Sequence, residues 1–390
     1  MGWCMPGRVL AVSGGRADWG LLAPVLTELR ARAFAELKLV VTGQHLMPGA
    51  GSLEAIERDG FQELERVDMD ILSDTPCGVT QAMGRGVLGF AELFERLRPD
   101  LLLVLGDRYE IHAAVTCALI ARIPVAHLCG GDVTEGAIDD ALRHGITKMS
   151  HLHFVTTEVA ARRVQQLGEE ASRVFVVGSP GLDRIRQTEL LSRSELFDSV
   201  GLAEQARSLV VSFHPVTLEA DSLDQCRALL RALDSRTDTA ILLSGSNADP
   251  GGQHIDQLFA EFAAERDHAV FVRNMGSQRY LSALAHMDAM VGNSSSGLYE
   301  APSLRCPTVN IGDRQKGRLR ATSVIDVEPR AEAIDAAINE ALKLDCSAVD
   351  NPYGDGFAAQ KIVDTLESVR DFAALLRKPF VDLSVPGGAV

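Results

Sequence analysis

Residues 99–132 read PDLLLVLGDRYEIHAAVTCALIARIPVAHLCGGD, and this stretch decides the fold class. It contains two short apolar runs, each followed by glycine and aspartate, with a helix-like segment between them. A continuous apolar run is typical of a strand that is buried on both faces, whereas a half-exposed strand alternates polar and apolar residues. Strands that alternate with helices form parallel sheets, so the stretch predicts a β-α-β unit of an α/β protein.

The same alternation recurs along the chain. Further apolar runs are RVLAVSG (8–14), ELKLVVTG (36–43), HLHFVTT (151–157), RVFVVGSP (173–180), SLVVSFHP (208–215), TAILLSGS (239–246), AVFVRN (269–274), AMVGNSS (289–295) and PTVNIGD (307–313). These runs are too many for one sheet, and a polar, helical stretch over 182–207 separates two of them. We therefore predict two Rossmann-like domains, over 1–182 and 205–352, that face a cleft lined by the carboxyl ends of their strands.

Composition limits the partners of this chain. Its 390 residues exceed the length of a typical single core, and 46% of them are hydrophobic, which predicts a folded protein throughout. The net charge of −15 disfavours binding to nucleic acid or to an anionic membrane. A small anionic ligand is still compatible with this charge, because a few arginines and helix N-termini suffice to bind phosphate.

Several common cofactor and metal motifs are missing from the sequence. It has no Walker P-loop, no G-x-G-x-x-G fingerprint and no H-E-x-x-H spacing, so we expect neither a cofactor nor a metal. The seven cysteines are scattered without a C-x-x-C pair, as in reduced cytoplasmic proteins. We expect no secretory leader, and no run approaches the roughly 20 apolar residues of a membrane span.

The densest group of ionisable side chains follows the second run of the opening stretch, in GGDVTEGAIDDALRHGITK (130–148). The candidates are Asp132, Glu135, Asp139, Asp140, Arg143 and His144. In a helix over 138–150, Asp139 and Arg143 share one face, as do Asp140 and His144. These residues are either a solvated helix face with two ion pairs or a catalytic cluster, and the flanking glycines favour the cluster.

Other polar residues also follow predicted strands. Asp107, followed by Arg108, is either a functional carboxylate or the N-cap of the next helix. Gly14 and Gly15 form a turn before a helix that begins near Trp19, which suits a phosphate beside Arg16 or is simply a turn with a surface arginine.

The second half offers an anion site of the same kind. In GNSSSGLYEAP, Ser294, Ser295, Ser296 and Gly297 form a loop before a helix, with Glu300 one turn inside it. The alternative is that the serines only cap the helix. His214 and Asn247 follow two other strands, where a structural role is the more common explanation for such residues, and Arg314 belongs to a basic loop.

Together these stretches resemble the hydrolysing UDP-N-acetylglucosamine 2-epimerases of sialic and legionaminic acid pathways. The matching segments are SGGRADWGLL, GDRYE, GGDVTEGAIDDALRHGITKMSHLHFV, VGSPGLD, FHPVT, GNSSSGLYEAPS and NIGDRQKGR, in family order. The resemblance implies the GT-B fold, a C-terminal helix over 356–378 that completes the first domain, and a homodimer or homotetramer. Asp132 and Cys129 depart from the residues expected at their positions, which leaves the exact sugar and nucleotide open.

The resemblance also implies roles for the candidates. The nucleotide would be bound by Arg16, Arg108, His214, Asn247, Ser294, Ser295, Ser296, Gly297, Glu300 and Arg314. The sugar-side acids, bases and orienting groups would be Asp107, Asp132, Glu135, Asp139, Asp140, Arg143 and His144. The implied reaction releases UDP and a free mannose-configured 2-acetamido sugar. A non-hydrolysing epimerase, a GT-B glycosyltransferase and a nucleotide-sugar sensor are the alternatives.

Overall fold

The structure, a computed structural model, describes residues 6–47, 52–73, 75–134, 138–215, 222–246 and 252–382. It divides into two compact units. Unit 1 comprises Met1–Arg184 with Tyr353–Val390, and unit 2 comprises Ile185–Pro352. Each unit has one parallel sheet with helices packed against it, so the predicted α/β class is confirmed.

The two sheets have the same kind of strand order. Unit 1 contains β1 (Gly7–Ser13), β2 (Ala35–Thr42), β3 (Leu64–Val67), β4 (Leu101–Leu105), β5 (Val125–Leu128), β6 (Leu152–Val155) and β7 (Val174–Val176), in the order β3-β2-β1-β4-β5-β6-β7. Unit 2 contains β8 (Arg207–Ser212), β9 (Thr239–Ser244), β10 (Ala269–Val272), β11 (Ala289–Gly292), β12 (Thr308–Ile311) and β13 (Val324–Val327), in the order β10-β9-β8-β11-β12-β13. Strand order reverses between β1 and β4 and between β8 and β11, and ligands of such sheets bind at the carboxyl ends beside that reversal.

Helices connect these strands. The α-helices are α1 (Arg16–Arg30), α2 (Leu53–Arg58), α3 (Pro76–Leu97), α4 (Tyr109–Ala121), α5 (Ile138–Met149), α6 (Glu158–Gln166), α7 (Asp183–Gln187), α8 (Arg193–Val200), α9 (Ser222–Asp234), α10 (Gly252–Ala264), α11 (Gly276–His286), α12 (Ser296–Tyr299), α13 (Ala331–Ala341) and α14 (Ala358–Ser368). Short 3-10 helices span Gly43–Leu46, Ala171–Arg173, Pro180–Leu182, Ala301–Leu304 and Ala373–Leu376. In the part of the chain that the structure covers, no helix is both long and apolar enough to cross a membrane.

Both faces of the unit 1 sheet are covered, which explains its continuous apolar strands. Val9 and Ala11 of β1 pack on one side with α1 and α14, whereas Leu10 and Val12 pack on the other with α3 and α4. Side chains alternate across a strand, so a strand between two helical layers needs apolar residues at every position.

The C-terminal helix α14 packs against α1 of unit 1. Its first turn is capped by the Asp183 carboxylate, which accepts hydrogen bonds from the backbone N–H groups of Ala358 at 3.0 Å and Ala359 at 2.9 Å. Arg32, two residues after α1, adds an ion pair with Asp364, 2.8 Å away. Residues more than 170 positions apart in the chain therefore belong to one unit.

Two strands, β3 and β13, were not predicted from the sequence. Both lie at sheet edges and are only partly buried. Their sequences, LERV and VIDV, include charged residues because one face or edge of each meets solvent. An edge strand does not need the continuous apolar run by which the central strands were recognised.

Candidate active site

In unit 1, Arg143 connects the loops that follow β4 and β5. One guanidinium nitrogen donates to the backbone oxygen of Asp132 at 2.8 Å and to Asp140 Oδ1 at 3.3 Å. The other donates to the Thr134 hydroxyl at 3.0 Å and to the carboxylate of Asp107. Arg143 is only 6% exposed, so it is not part of a solvated helix face. The structure thus brings Asp107, Asp132 and Asp140 together around one buried cation.

We call Asp107, Asp132, Asp139 and Asp140, together with Arg143, the carboxylate cluster. Two of its acids make further contacts that fix their orientation. Asp140 accepts the backbone N–H of Thr134 at 2.7 Å, and His144 Nε2 lies 3.6 Å from its other oxygen. Asp132 Oδ1 accepts a hydrogen bond from the Thr156 hydroxyl at 3.3 Å, just after β6. These contacts orient the two acids towards their partners, as a catalytic site requires.

The alternative of a solvated helix face required an ion pair between Asp139 and Arg143, but Arg143 contacts Asp140 and Asp107 instead. Asp139 is partly buried, and burial together with the negative charge of Asp107 raises its pKa. A carboxyl that holds its proton longer is suited to act as an acid. Glu135 lies outside the described residues.

The glycines before this cluster serve close packing. Gly131 has φ +80°, and a Cβ there would lie 2.4 Å from the backbone oxygen of Ala160. Cys129, two residues earlier, also has a left-handed φ of 62° and lies among the carboxylate cluster, where burial raises the pKa of its thiol. The flexible approach that the sequence suggested is therefore a tightly constrained turn.

Arg108, and not Asp107, is the N-cap residue of α4. The capping alternative for Asp107 is therefore wrong, since its carboxylate is bound by Arg143 instead. Arg108 turns to Glu110, whose Oε1 lies 3.1 Å from its Nε. Arg16 is exposed and is the first residue of α1, which begins three residues earlier than the predicted start near Trp19.

Among the buried acids of unit 1 that were not predicted, Asp18 and Glu110 lie beside the candidate site. Glu110 is fully buried against Arg108, and Asp18 is 8% exposed beneath the turn that contains Gly14. Each lies within the first turn of a helix that follows β1 or β4, the two strands at the reversal. Acidic residues one turn into these two helices, in RAD and RYE, were the available signal.

In unit 2, Asn293 joins the loops after β8 and β11. Its Oδ1 accepts the backbone N–H of His214 at 2.7 Å, and its Nδ2 donates to the backbone oxygen of His214 at 2.8 Å. Its own backbone oxygen accepts hydrogen bonds from Arg314 at 3.2 Å and from Gln315 at 2.8 Å. Two predicted ligand residues, His214 and Arg314, are thus brought together by Asn293, which was not predicted.

The serine loop after β11 is tightly packed. A Cβ on Gly292 would lie 1.9 Å from the backbone oxygen of Ser212, and one on Gly297 would lie 2.5 Å from a methyl group of Thr308. The Ser296 hydroxyl is buried and makes no hydrogen bond of normal geometry in the described ranges, although the Glu300 carboxyl and the Tyr280 hydroxyl lie beside it. An inward hydroxyl of this kind suits an anionic ligand better than a purely capping role.

Glu300 does not lie one turn inside a helix, as the sequence predicted. The helix α12 has only four residues and ends at Tyr299, and Glu300 connects it to the 3-10 helix Ala301–Leu304. Pro302 explains the break, because proline cannot donate an N–H to a continuing helix. Burial raises the pKa of Glu300, which the Ser296 hydroxyl counteracts.

The loop after β9 was predicted to contribute Asn247 to the nucleotide site. Ser246, after β9, has its hydroxyl 3.3 Å from His214 Nδ1. Asn247, the next residue, lies outside the described ranges. Among the residues that the structure places, no three His, Cys, Asp or Glu side chains are arranged to hold a metal ion.

Comparison with known proteins gives a consistent result. Residues 27–367 match the family described as UDP-N-acetylglucosamine 2-epimerase. A GDP/UDP-N,N'-diacetylbacillosamine 2-epimerase (hydrolyzing) of Campylobacter jejuni is 35% identical, with 96% of this chain and 99% of the relative covered. A UDP-N,N'-diacetylbacillosamine 2-epimerase (hydrolyzing) of Legionella pneumophila is 34% identical, with 95% of this chain and 98% of the relative covered.

A solved structure supports the fold. The UDP-GlcNAc 2-epimerase of Neisseria meningitidis, bound to UDP-GlcNAc, superposes with a TM-score of 0.74 at 18% identity, with 92% of this chain and 99% of that chain covered. At this identity the likeness speaks for the fold alone. It confirms the predicted GT-B class of two Rossmann-like units.

Proposed function

Because the chain belongs to the UDP-N-acetylglucosamine 2-epimerase family, we propose that it is a hydrolysing 2-epimerase of a UDP-linked 2-acetamido sugar. The observation that carries this proposal is the carboxylate cluster around Arg143. Inversion at C2 removes a proton from one face of the sugar and returns one to the other, so it needs at least two acid-base groups. The two candidates are Asp107, whose carboxylate is bound by Arg143, and Asp139, which lies close enough for the negative charge of Asp107 to raise its pKa.

The chemistry requires the leaving group to take part. C2 of the sugar is not next to a carbonyl, so its proton is not acidic enough to be removed alone at neutral pH. A carboxylate takes the C2 proton while the C1–O bond to UDP breaks, which gives a 2-acetamidoglucal and UDP. Water then adds across the double bond: its oxygen bonds to C1 and a proton bonds to the opposite face of C2. The product is a free sugar of mannose configuration.

The roles of the individual side chains follow this scheme. Asp107, Asp132, Glu135, Asp139 and Asp140 are the candidates for acid and base, and Arg143 and His144 orient them. The nucleotide is bound by Arg16, Arg108, His214, Asn247, Ser294, Ser295, Ser296, Gly297, Glu300 and Arg314. Cationic and hydroxyl donors beside the diphosphate stabilise the charge that develops as UDP leaves. His214 and Arg314 both make hydrogen bonds with Asn293, and this proximity supports their assignment to the nucleotide site.

For the substrate we propose UDP-N,N'-diacetylbacillosamine first and UDP-N-acetylglucosamine second. The two hydrolysing relatives at 34% and 35% identity carry the former sugar in their names. The latter is the ligand in the structure of similar fold. The free product is a precursor of the type that sialic and legionaminic acid pathways consume. We propose that the enzyme acts in the cytoplasm and that it is a homodimer or homotetramer.

The test is incubation of the protein with each nucleotide sugar in D2O, followed by NMR. We expect UDP and a free mannose-configured sugar with deuterium at C2. Deuterated sugar still attached to UDP would indicate the non-hydrolysing reaction. Release or transfer of sugar without deuterium would indicate glycosyl transfer, and binding of both nucleotide sugars without any turnover would indicate a sensor.

A further inference from the structure

Two buried carboxyls in unit 1 lie near the guanidinium of Arg108, beneath the turn after β1: Glu110 is ion-paired with it, and Asp18 lies within its electrostatic influence. Glu110 has no exposed side-chain surface, and its Oε1 lies 3.1 Å from both Nε and Nη2 of Arg108. Asp18 is more than nine-tenths buried, and its Oδ2 has no hydrogen-bond partner in the described part of the chain. A Cβ on Gly14 would lie 3.3 Å from that oxygen. The reaction proposed above uses neither acid.

Backbone atoms enclose this pair. Gly43 has φ +56°, and a Cβ there would lie 2.7 Å from both Cγ and Oε1 of Glu110. The next residue, Gln44, donates its backbone N–H to the oxygen of Gly14 at 2.8 Å. The turns after β1 and β2 thus close over Glu110, which leaves the carboxylate no room to move away from Arg108.

The charges around Asp18 oppose each other. Burial raises the pKa of Asp18 to about 6, Arg108 lowers it, and the negative charges of Glu110 and Asp107 raise it. Burial likewise raises the pKa of Glu110, to which Asp139 contributes. On the same helix as Asp18, Arg16 is exposed to solvent. Near pH 6, Asp18 therefore gains or loses a proton close to the ion pair of Arg108 and Glu110.

The remaining titratable group on the neighbouring 3-10 helix is His45. Its Nε2 lies 2.8 Å from the Ser13 hydroxyl and its Nδ1 lies 2.8 Å from the Ser52 hydroxyl. Burial lowers the pKa of His45 to about 4, so the ring is neutral from pH 5 upwards. It does not compete with Arg108 for the acid pair.

We propose that Asp18 is a positioning residue that sets how much positive charge Arg108 presents to the uridine diphosphate. Arg108 is ion-paired with Glu110 and also contacts Tyr109, whose pKa is raised by burial so that its phenol keeps its proton near neutral pH. When Asp18 is protonated, Glu110 is the carboxylate paired with Arg108; when Asp18 ionises, a second negative charge lies near the same guanidinium. This inference rests on the proposed function, which takes Arg108 as a nucleotide-binding cation. An anion beside Arg108 favours the neutral form of Asp18, so UDP binding takes up a proton and weakens as the pH rises through about 6.

The experiment is calorimetric titration of UDP into the wild-type chain and into Asp18→Asn between pH 5 and 8. Asparagine keeps the shape but removes the ionisable group, and the titration of UDP itself cancels in the ratio of the two dissociation constants. We expect the ratio of wild type to variant to be near 1 at pH 5 and to rise to about fivefold at pH 8. Glu92→Gln, at an exposed site on α3, is the matched control and should give a constant ratio.

Glu110→Gln is the second variant and carries the test if Asp18→Asn does not fold. It leaves Arg108 to Asp18 alone, so Asp18 ionises at lower pH and the dependence above pH 6 should disappear. A merely structural role would lower the thermal midpoint and leave the pH dependence of UDP binding unchanged, which would overturn the inference. If wild type failed to bind UDP at every pH, the proposed function would fall as well.

Discussion

The guanidinium of Arg143 in α5 donates to the carboxylate of Asp107, 36 positions earlier in the chain, at the end of β4. The same side chain binds the backbone of Asp132 and the hydroxyl of Thr134 in the loop after β5. A planar guanidinium offers five donors in a fixed geometry, so one residue can hold two loops in register. The arrangement of the acids in the carboxylate cluster therefore depends on this arginine.

Replacement of Arg143 by lysine should lower kcat about 100-fold while UDP affinity changes little. Lysine keeps the charge, but a single ammonium cannot bind all of the oxygens that the guanidinium holds, and small displacements of catalytic groups are costly. Turnover by UDP release and binding by calorimetry would separate the two effects. Arg32→Lys is the matched control, because Arg32 also bridges several carboxylates of unit 1 but contacts none of the candidate site. Equal kcat values in the two variants would contradict the role of Arg143.

Replacement of Asp107 or Asp139 by asparagine should reduce turnover by about 10²–10⁴-fold, the typical contribution of a general acid or base. Asparagine preserves size and removes the ability to exchange a proton. UDP binding should stay within about threefold of wild type, since the nucleotide is bound by other residues. If turnover survives both changes, the assignment of acid and base is wrong.

Asn293→Asp should destabilise unit 2 by about 2 kcal/mol and weaken UDP binding. Aspartate can still accept the N–H of His214, but it has no donor for the buried backbone oxygen of the same residue. Thermal unfolding and calorimetric titration measure the two effects. Asn274→Asp is the control: Asn274 is exposed and its side chain accepts an N–H from Gly276, which aspartate can also do. Similar midpoints for both variants would argue against the connection between the loops.

Gly292→Ala should cost at least about 2 kcal/mol, whereas Gly84→Ala should gain up to about 1 kcal/mol. Gly292 has φ +145° and pairs with Ser212 between β8 and β11, where an added Cβ would overlap the backbone oxygen. Gly84 lies in α3 with no heavy atom within 4 Å of a built Cβ, so alanine adds only helix propensity. Thermal midpoints that move in the same direction would refute this explanation.

Stability should fall as the pH drops from about 6.5 towards 4. Burial lowers the pKa of His127 to about 3 and those of His45 and His151 to about 4, so unfolding allows each ring to bind a proton below its ordinary pKa. A group whose pKa is lower in the folded state contributes its full stabilisation above its unfolded pKa, and this contribution is lost as the pH decreases. For each histidine, the free energy of unfolding should fall by up to about 1.4 kcal/mol per pH unit. Asp18 acts in the opposite direction, because its pKa is raised.

The measurement is the urea dependence of unfolding at several pH values between 7.5 and 4.5. We expect net uptake of about two protons on unfolding near pH 5. His127→Gln should reduce this by about one proton, because glutamine can replace the hydrogen bonds of the ring to Gly106 and Thr147 without titrating. A pH-independent free energy of unfolding would contradict the buried neutral histidines.

The central strands could be recognised from sequence because they lie between two layers of helices. The edge strands β3 (LERV) and β13 (VIDV) could not, since charged residues interrupt their apolar runs, whereas the edge strands β7 and β10 keep such a run. Helix boundaries were less accurate: α1 begins at Arg16, and α12 ends before Glu300. Local sequence does not fix such ends, because they depend on caps and on packing against neighbouring elements.

The sequence by itself determined the α/β class and placed the polar candidates directly after strands, because periodicity and turn residues record local burial and chain reversal. Only the tertiary structure decided which of them meet. It paired Arg143 with Asp107 instead of Asp139, joined His214 to Arg314 through Asn293, and buried Asp18 and Glu110 beside Arg108. These contacts depend on which strands are neighbours in the sheet, and strand order is a long-range property that no single stretch of sequence contains.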